Sequence, residues 1–336
     1  MALPLVEEGA AAAGIGRRGE HLSIVIPTYN CAQFLGQTLQ SLRAQGERLA
    51  AAEIMVVDDC STADDPGAVV RAEWGDRVTM HRHERNMGPT RNFNACLRQA
   101  SRPWIHVLHG DDFMLPGAYD EIAATLEAVP DAEAVFARTV YVDAIGVWTG
   151  LTQRLGPGER GVLAYVPTMW NICPVQFASV LVSQRAVERV GGFDETFTHV
   201  ADYNLWWRLA RQARVAYSNA CIGAYRYFEG NHSSSSSLRR TARNLTEHVE
   251  QLERVLASMR EHGPVSPATR YAMYAPVIVR ALRQAKSFIG DESAFQANDR
   301  LLGQLPLTRR SQLRRLELRL RHTMRGSERP EPGGRG

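Results

Sequence analysis

The 336-residue chain has no run of about 18 apolar residues, so no transmembrane helix is expected. Its alanine-rich N-terminus follows Glu7 and Glu8 and lacks a basic segment, which makes it a poor secretory signal. Five scattered cysteines (Cys31, Cys60, Cys96, Cys173, Cys221) contain no C-x-x-C pair, which argues against a disulfide framework and a structural zinc site. Reduced thiols in a cytoplasmic protein are the expectation. A net charge of +3 is too small to argue for nucleic acid as a partner. One motif is a decoy. Gly14-Ile15-Gly16-Arg17-Arg18-Gly19 matches the dinucleotide fingerprint, but no strand precedes it and no helix follows, so a Rossmann cofactor site is not expected.

What is present reads as a globular α/β protein. Residues 1–20 are expected to be a disordered tail. From residue 22 onward, strands are expected at 22–27, 53–58, 77–83, 103–108 and 133–138, alternating with helices at 32–45, 65–74, 88–100 and 116–128. Such alternation implies a mostly parallel central sheet with helices on both sides, with ligands beyond the carboxyl ends of the strands. Residues 140–148 read as a hairpin turning on Asp143 and Gly146, with Asp143 structural. Helices at 183–190 and 202–213 and a strand at 223–228 follow. His81 and His83 share a strand face and read as structural. Ser233 to Ser237 reads as a linker. Helical patterns at 238–262, 266–288, 291–303 and 308–324 form a separate region at 238–325, and 326–336 reads as a second tail.

The chemistry concentrates in short polar boxes at strand ends. Trp104 to Leu108 is an apolar run that stops at His109-Gly110-Asp111-Asp112. Adjacent ionised carboxylates repel each other unless a cation is present. Hard oxygen ligands suit Mg²⁺ or Mn²⁺ shared with a substrate diphosphate. The strands at 22–27 and 53–58 end in Pro27-Thr28-Tyr29-Asn30 and Asp58-Asp59-Cys60-Ser61. Further boxes are Asn86-Met87-Gly88-Pro89-Thr90-Arg91-Asn92, Gly191-Gly192-Phe193-Asp194-Glu195 and Ala201-Asp202-Tyr203-Asn204-Leu205-Trp206.

In these boxes, over roughly residues 20 to 235, the chain resembles the inverting GT-A glycosyltransferases of family 2. The resemblance implies a GT-A catalytic domain at 21–235, with a nucleotide half at about 21–112 and an acceptor half at about 113–235. It implies that Pro27, Thr28, Tyr29 and Asn30 line a nucleobase pocket, the tyrosine ring lying against the base. It implies that Asp58 or Asp59 accepts a hydrogen bond from a uracil-type imide, as in a UDP- or dTDP-sugar. Asn86, Gly88 and Arg91 would meet the nucleotide, an arginine at a helix N-terminus suiting an anion. Asp111 would contact the ribose, Asp112 would bind the metal, and His232 would reach back to the metal or diphosphate. Asp202 would be the catalytic base for an acceptor hydroxyl.

Two positions depart from the family pattern. His109 stands where a carboxylate is usual and reads as a turn histidine, and Ala201 replaces the first acid of the Glu-Asp pair. A sugar nucleotidyltransferase is a rival reading, but Pro27-Thr28-Tyr29-Asn30 is unlike a glycine-rich, basic triphosphate loop. A non-catalytic sugar-nucleotide-binding module is a second rival. Glycan, lipid-linked glycan and secondary-metabolite acceptors all remain open. The arginine- and leucine-rich segment 308–325 suggests peripheral contact with the inner face of a membrane, and the C-terminal helices offer a surface for a homodimer.

Overall fold

Leu22–Thr28 (β1) is buried along its whole length, as a central strand flanked by other strands and covered on both faces must be. A computed structural model describes residues 14–228 and 236–327. These divide into two compact units, one formed by residues 14–165 and 173–228, the other by 166–172 and 236–327.

In the first unit β1 is followed by Ala32–Arg43 (α1), Glu53–Asp58 (β2), Pro66–Trp74 (α2), Thr79–Arg82 (β3), Pro89–Gln99 (α3) and Trp104–Val107 (β4). Then come Phe113–Met114 (β5), Ala118–Ala128 (α4), Ala134–Val142 (β6), Trp148–Leu151 (β7) and Arg160–Val162 (β8). Val180–Ser183 (β9), Gln184–Val190 (α5), Ala201–Gln212 (α6) and Val215–Arg226 (β10) complete it. The sheet order is β3-β2-β1-β4-β9-β6-β10-β5, with β7 beside β6 and β8 beside β10. β1 pairs in parallel with β2 and β4, β2 with β3, and β6 with β10. β9 runs antiparallel between β4 and β6, so β6 and β10 point the same way as the first four strands. Six strands therefore deliver their carboxyl ends to one edge. This is the expected mostly parallel α/β sheet, and it gathers the polar boxes at that edge.

Some expectations need correction. Residues 14–20 are not a loose tail: Ile15 is buried in the main core, and the carbonyl of Arg18 accepts from Ala51 N–H at 2.8 Å. The strand expected at 223–228 is β10, twelve residues long, because irregular pairing between Tyr217 and Gly223 hides its first half from a simple alternation pattern. β9 is only four residues and carries no turn signal of its own. The hairpin at 140–148 is present. Asp143 Oδ1 accepts from Ile145 and Val147 N–H at 3.0 and 2.9 Å, a structural role. His83 Nε2 lies 3.1 Å from Asn92 Oδ1, tying β3 to α3.

The second unit is helical: Ser236–Arg240 (α7), Arg243–Arg260 (α8), Pro267–Ser287 (α9), Glu292–Gln304 (α10) and Arg309–Ser327 (α11). The single helix expected at 238–262 is broken at Ala242, whose φ of 57° is outside the helical region. Ser266 and Asp291 cap α9 and α10 by accepting from Thr269 and Ala294 N–H. Leu252, Val255, Val277, Ile278, Ala281 and Leu302 form its apolar interior. Gln284 Nε2 bridges Asn244 and Asn298 there, so these three buried amides satisfy one another. No helix among the described residues is long and apolar enough to cross a membrane.

Candidate active site

The acid pair sits in a tight turn after β4. Gly110 allows a close approach there: a Cβ would lie 3.0 Å from Cys31 Sγ and 3.2 Å from Thr28 Oγ1, tighter than ordinary contact. The Thr38 hydroxyl, reaching over from α1, donates to the Asp112 carbonyl at 2.6 Å, with the Gly110 carbonyl 3.0 Å away. The turn is thus held by its backbone, which leaves the carboxylates for other work. Asp112 Oδ1 accepts from the Arg226 backbone N–H at 2.9 Å. Asp112 Oδ2 is buried with no hydrogen-bond partner.

An unpartnered buried carboxylate oxygen is costly. Burial and the neighbouring Asp111 charge push the Asp112 carboxyl well above the usual carboxylate range. Burial also raises Asp111, to about 6, against the opposing pull of Arg226. Donor atoms of His109, Asp111 and Asp112 lie within 4.8 Å of one another. A hard divalent cation fits this set: it would satisfy Asp112 Oδ2 and relieve the repulsion between the acids. His109 follows β4 in the turn where it was expected. Its ring also stacks on Phe93, 5.0 Å away at 19°, and tilts against Phe177 at 4.1 Å.

Sequence reasoning missed Arg226, which ends β10 and is buried. Its Nε donates to the Asp111 carbonyl at 3.0 Å, and Nη1 donates to the Ala144 carbonyl at 2.8 Å in the β6–β7 turn. Nη2 donates to Gln37 on α1. The guanidinium lies over Phe34 at 4.6 Å. One residue thus links the acid turn, the hairpin and α1. The available signal was a single cation closing a strand that carries no other charged residue.

At the end of β1, Pro27 and Thr28 are buried, and only Tyr29 presents an exposed ring. Asn30 uses its side-chain oxygen to accept from Thr62 and Ala63 N–H at 2.8 and 3.0 Å. Asp58 is fully buried, accepting from Ser61 and pairing with Arg82. Asp59 accepts from Met87 N–H at 2.7 Å and from Gly88 N–H at 2.9 Å, and burial raises its pKa despite those bonds. Asn86 joins the same knot by donating to the Asp59 carbonyl at 3.2 Å. The residues expected around a nucleobase do meet at one edge, but Asn30, Asp58, Asp59 and Asn86 spend their side chains building the walls.

α3 is stitched to the glycine turn. Arg91 Nε donates to Glu195 at 3.1 Å, Thr90 Oγ1 to the Phe197 carbonyl at 2.6 Å, and Asn94 Nδ2 to the Phe193 carbonyl at 3.0 Å. That turn leads into α6, where Asp202 occupies the first turn without being the cap, which is Val200. Asp202 Oδ1 accepts from Tyr203 N–H at 2.7 Å. Burial raises its pKa to about 6, outweighing that bond. Trp206 is core, packed edge-on against Phe177 and Phe193 at 5.4 and 5.9 Å. Trp207 Nε1 donates to Tyr165 at 3.1 Å. His232, expected to reach the metal, lies outside the described residues.

The family model described as glycosyl transferase family 2 matches residues 23–190. The succinoglycan biosynthesis protein ExoU of Rhizobium meliloti (strain 1021) is 29% identical over 234 residues, covering 63% of this chain and 64% of that protein. The matched stretch therefore spans less than two thirds of that relative's length. Among solved structures, S. aureus TarS 1-349 in complex with UDP-GlcNAc aligns with a TM-score of 0.55 at 18% identity, over 90% of this chain and 88% of that one. Mannosyltransferase PcManGT from Pyrobaculum calidifontis, in complex with GDP-Man and Mn2+, aligns with a TM-score of 0.50 at 17% identity, over 93% of this chain and 88% of that one. At these identities the structures speak for a shared fold.

Proposed function

This chain belongs to glycosyl transferase family 2 and is a glycosyltransferase of GT-A fold, and from that premise we propose that it transfers a sugar from a nucleotide-diphospho-sugar to an acceptor hydroxyl with inversion at the anomeric carbon. The observation that carries this reading is the buried, unpartnered Asp112 Oδ2 beside Asp111 at the carboxyl edge of the sheet. That is where a diphosphate and its cation would be held. Asp112, with Asp111 and His109 beside it, would hold Mg²⁺ or Mn²⁺. Such a cation supplies positive charge to the leaving diphosphate.

The chain's own residues account for the rest. Tyr29 presents its ring to the base. The Asp59-bound loop at Met87 and Gly88 and the N-terminus of α3 shape the nucleotide pocket. Asp202 removes the proton of the acceptor hydroxyl as its oxygen attacks C1, and the C1–O bond to the diphosphate breaks on the opposite face. A raised pKa near 6 gives Asp202 more proton affinity than an ordinary carboxylate while leaving it largely ionised at neutral pH.

TarS and PcManGT are solved with UDP-GlcNAc and GDP-Man, which supports a nucleotide-sugar donor here. The name of ExoU favours an envelope polysaccharide or its lipid-linked precursor as acceptor. We place catalysis in residues 21–235, with the C-terminal helices as an appendage. The test is donor hydrolysis and transfer across UDP-, dTDP- and GDP-sugars, with and without Mn²⁺. Turnover of at least one donor that stops in chelator is expected. No turnover of any donor, or turnover indifferent to chelator, would overturn the reading.

A further inference from the structure

We propose that the outer face of α11 docks on an anionic phospholipid bilayer, with lipid phosphates drawn to the groove between α11 and α9.

The rotation of α11 is pinned from its inner side. Arg315 and Arg319 both bind Asp299 of α10, at 2.7 and 2.6 Å. Leu318 is buried, and the His322 ring stacks on Phe295 at 4.1 Å and 6°. Positions 315, 318, 319 and 322 are one helical face. The opposite face then cannot turn inward. It carries Leu313, Leu316 and Leu320, spaced i, i+3 and i+7, which are 64, 52 and 59% exposed. Three leucines in register on an outward face need a partner more than scattered apolar residues do. On α9, Val279 is also exposed, and Leu282 meets Leu313 in a groove of about 460 Å³ lined further by Arg310, Ser311, Arg314 and Glu317.

Charge selects the occupant. α11 contains seven arginines and one glutamate. A second copy packed on this face would bring arginine against arginine. An anionic bilayer takes the leucines into the acyl boundary and the arginines at headgroup depth, as basic amphipathic helices do. The Arg310 guanidinium suits phosphate oxygens, while Arg314 and Arg321 share Glu317 at 2.8 and 2.7 Å and so leave this face with an excess of positive charge.

The test is flotation of the full chain with vesicles of phosphatidylcholine, alone or mixed with phosphatidylglycerol. Binding only to the mixed vesicles, released by salt, is expected. Arg309→Gln with Arg310→Gln should weaken partition about thirtyfold, from the usual contribution of about 1 kcal/mol per surface cation. Leu316→Ser with Leu320→Ser should weaken it at least about tenfold. All four side chains are exposed, so both variants should keep the parent's melting temperature and donor hydrolysis. Equal binding to neutral vesicles, or no binding by the parent chain, would overturn the proposal. So would a parent dimer that the leucine variant converts to monomer, because a second copy would then own the face.

Discussion

Arg226 hydrogen-bonds Asp112 through its backbone, and its guanidinium adds only a through-space attraction. Its N–H donates to Asp112 Oδ1 at 2.9 Å, while the guanidinium turns aside to the Asp111 carbonyl and to the carbonyls of the β6–β7 turn. The acid therefore gains one neutral donor and keeps Oδ2 for a ligand. A guanidinium on that oxygen would compete with a cation. Placed on carbonyls, it builds the site without filling it.

Arg226→Lys keeps the charge but cannot span the Asp111, Asp143, Ala144 and Gln37 oxygens together. We expect a loss of about 2–4 kcal/mol in a denaturant titration, since buried bonds to charged groups each contribute about 1.5–3 kcal/mol. Amide exchange should rise at Ile145 and Val147 in the hairpin. Unchanged exchange there would show that the hairpin does not depend on the guanidinium.

Asp112→Asn should lower donor turnover at least about 100-fold, because the cation loses its buried carboxylate. Mn²⁺ binding measured by calorimetry should weaken in parallel. Full turnover in this variant, or in excess chelator, would assign the metal role elsewhere.

Asp202→Asn should slow transfer by roughly 10² to 10⁴ with little change in donor affinity. The parent enzyme's rate should rise with pH up to about 6 and then level, as Asp202 loses its proton. The variant should lack that limb. Stability should move the other way. The native state raises this carboxyl from 3.8 to about 6, so its contribution is full below the unfolded value and is lost as pH rises through 6. Asn carries no such cost, and the variant should be more stable by about 1–3 kcal/mol at about pH 8 and equal to the parent at about pH 3. A destabilised variant at alkaline pH would contradict the burial argument.

Tyr29 and Asp59 allow the surface and the frame of the proposed nucleotide pocket to be tested separately. Tyr29→Ala removes an exposed ring and should change stability by less than about 0.5 kcal/mol while weakening donor binding. Asp59→Asn replaces one acceptor with an amino group facing a backbone N–H, and should cost about 1–3 kcal/mol. Urea midpoints and donor titrations on both variants measure the two roles. A stable Asp59→Asn would deny it the frame.

Much of the architecture is legible in the chain because local patterns carried it. The buried runs at β1, β2 and β4, the glycine before α3 and the proline that opens it, and the adjacent acids each encode their position without distant help. The second half of the sheet was less legible. β9 is too short to have a period, and the pairing of β10 with β6 shifts register between Tyr217 and Gly223, which breaks its alternation. Ile15 looked like part of a tail because a single apolar residue among glycines has no pattern.

The site divides the same way. Residue order alone places two adjacent carboxylates after an apolar strand, polar boxes at the ends of the strands beside it, and Asp202 in the first turn of a helix that follows a glycine turn. These are properties of neighbours along the chain. Which oxygens stay available is set by contacts across the fold. That Asp58, Asp59 and Asn30 also hold loops is visible only in the fold, and Asp112 Oδ1 is met by the backbone of Arg226, 114 positions away, while Oδ2 is not. The reason is physical: a polar side chain's role depends on which of its donors and acceptors are already satisfied, and satisfaction is set by contacts between residues distant in sequence.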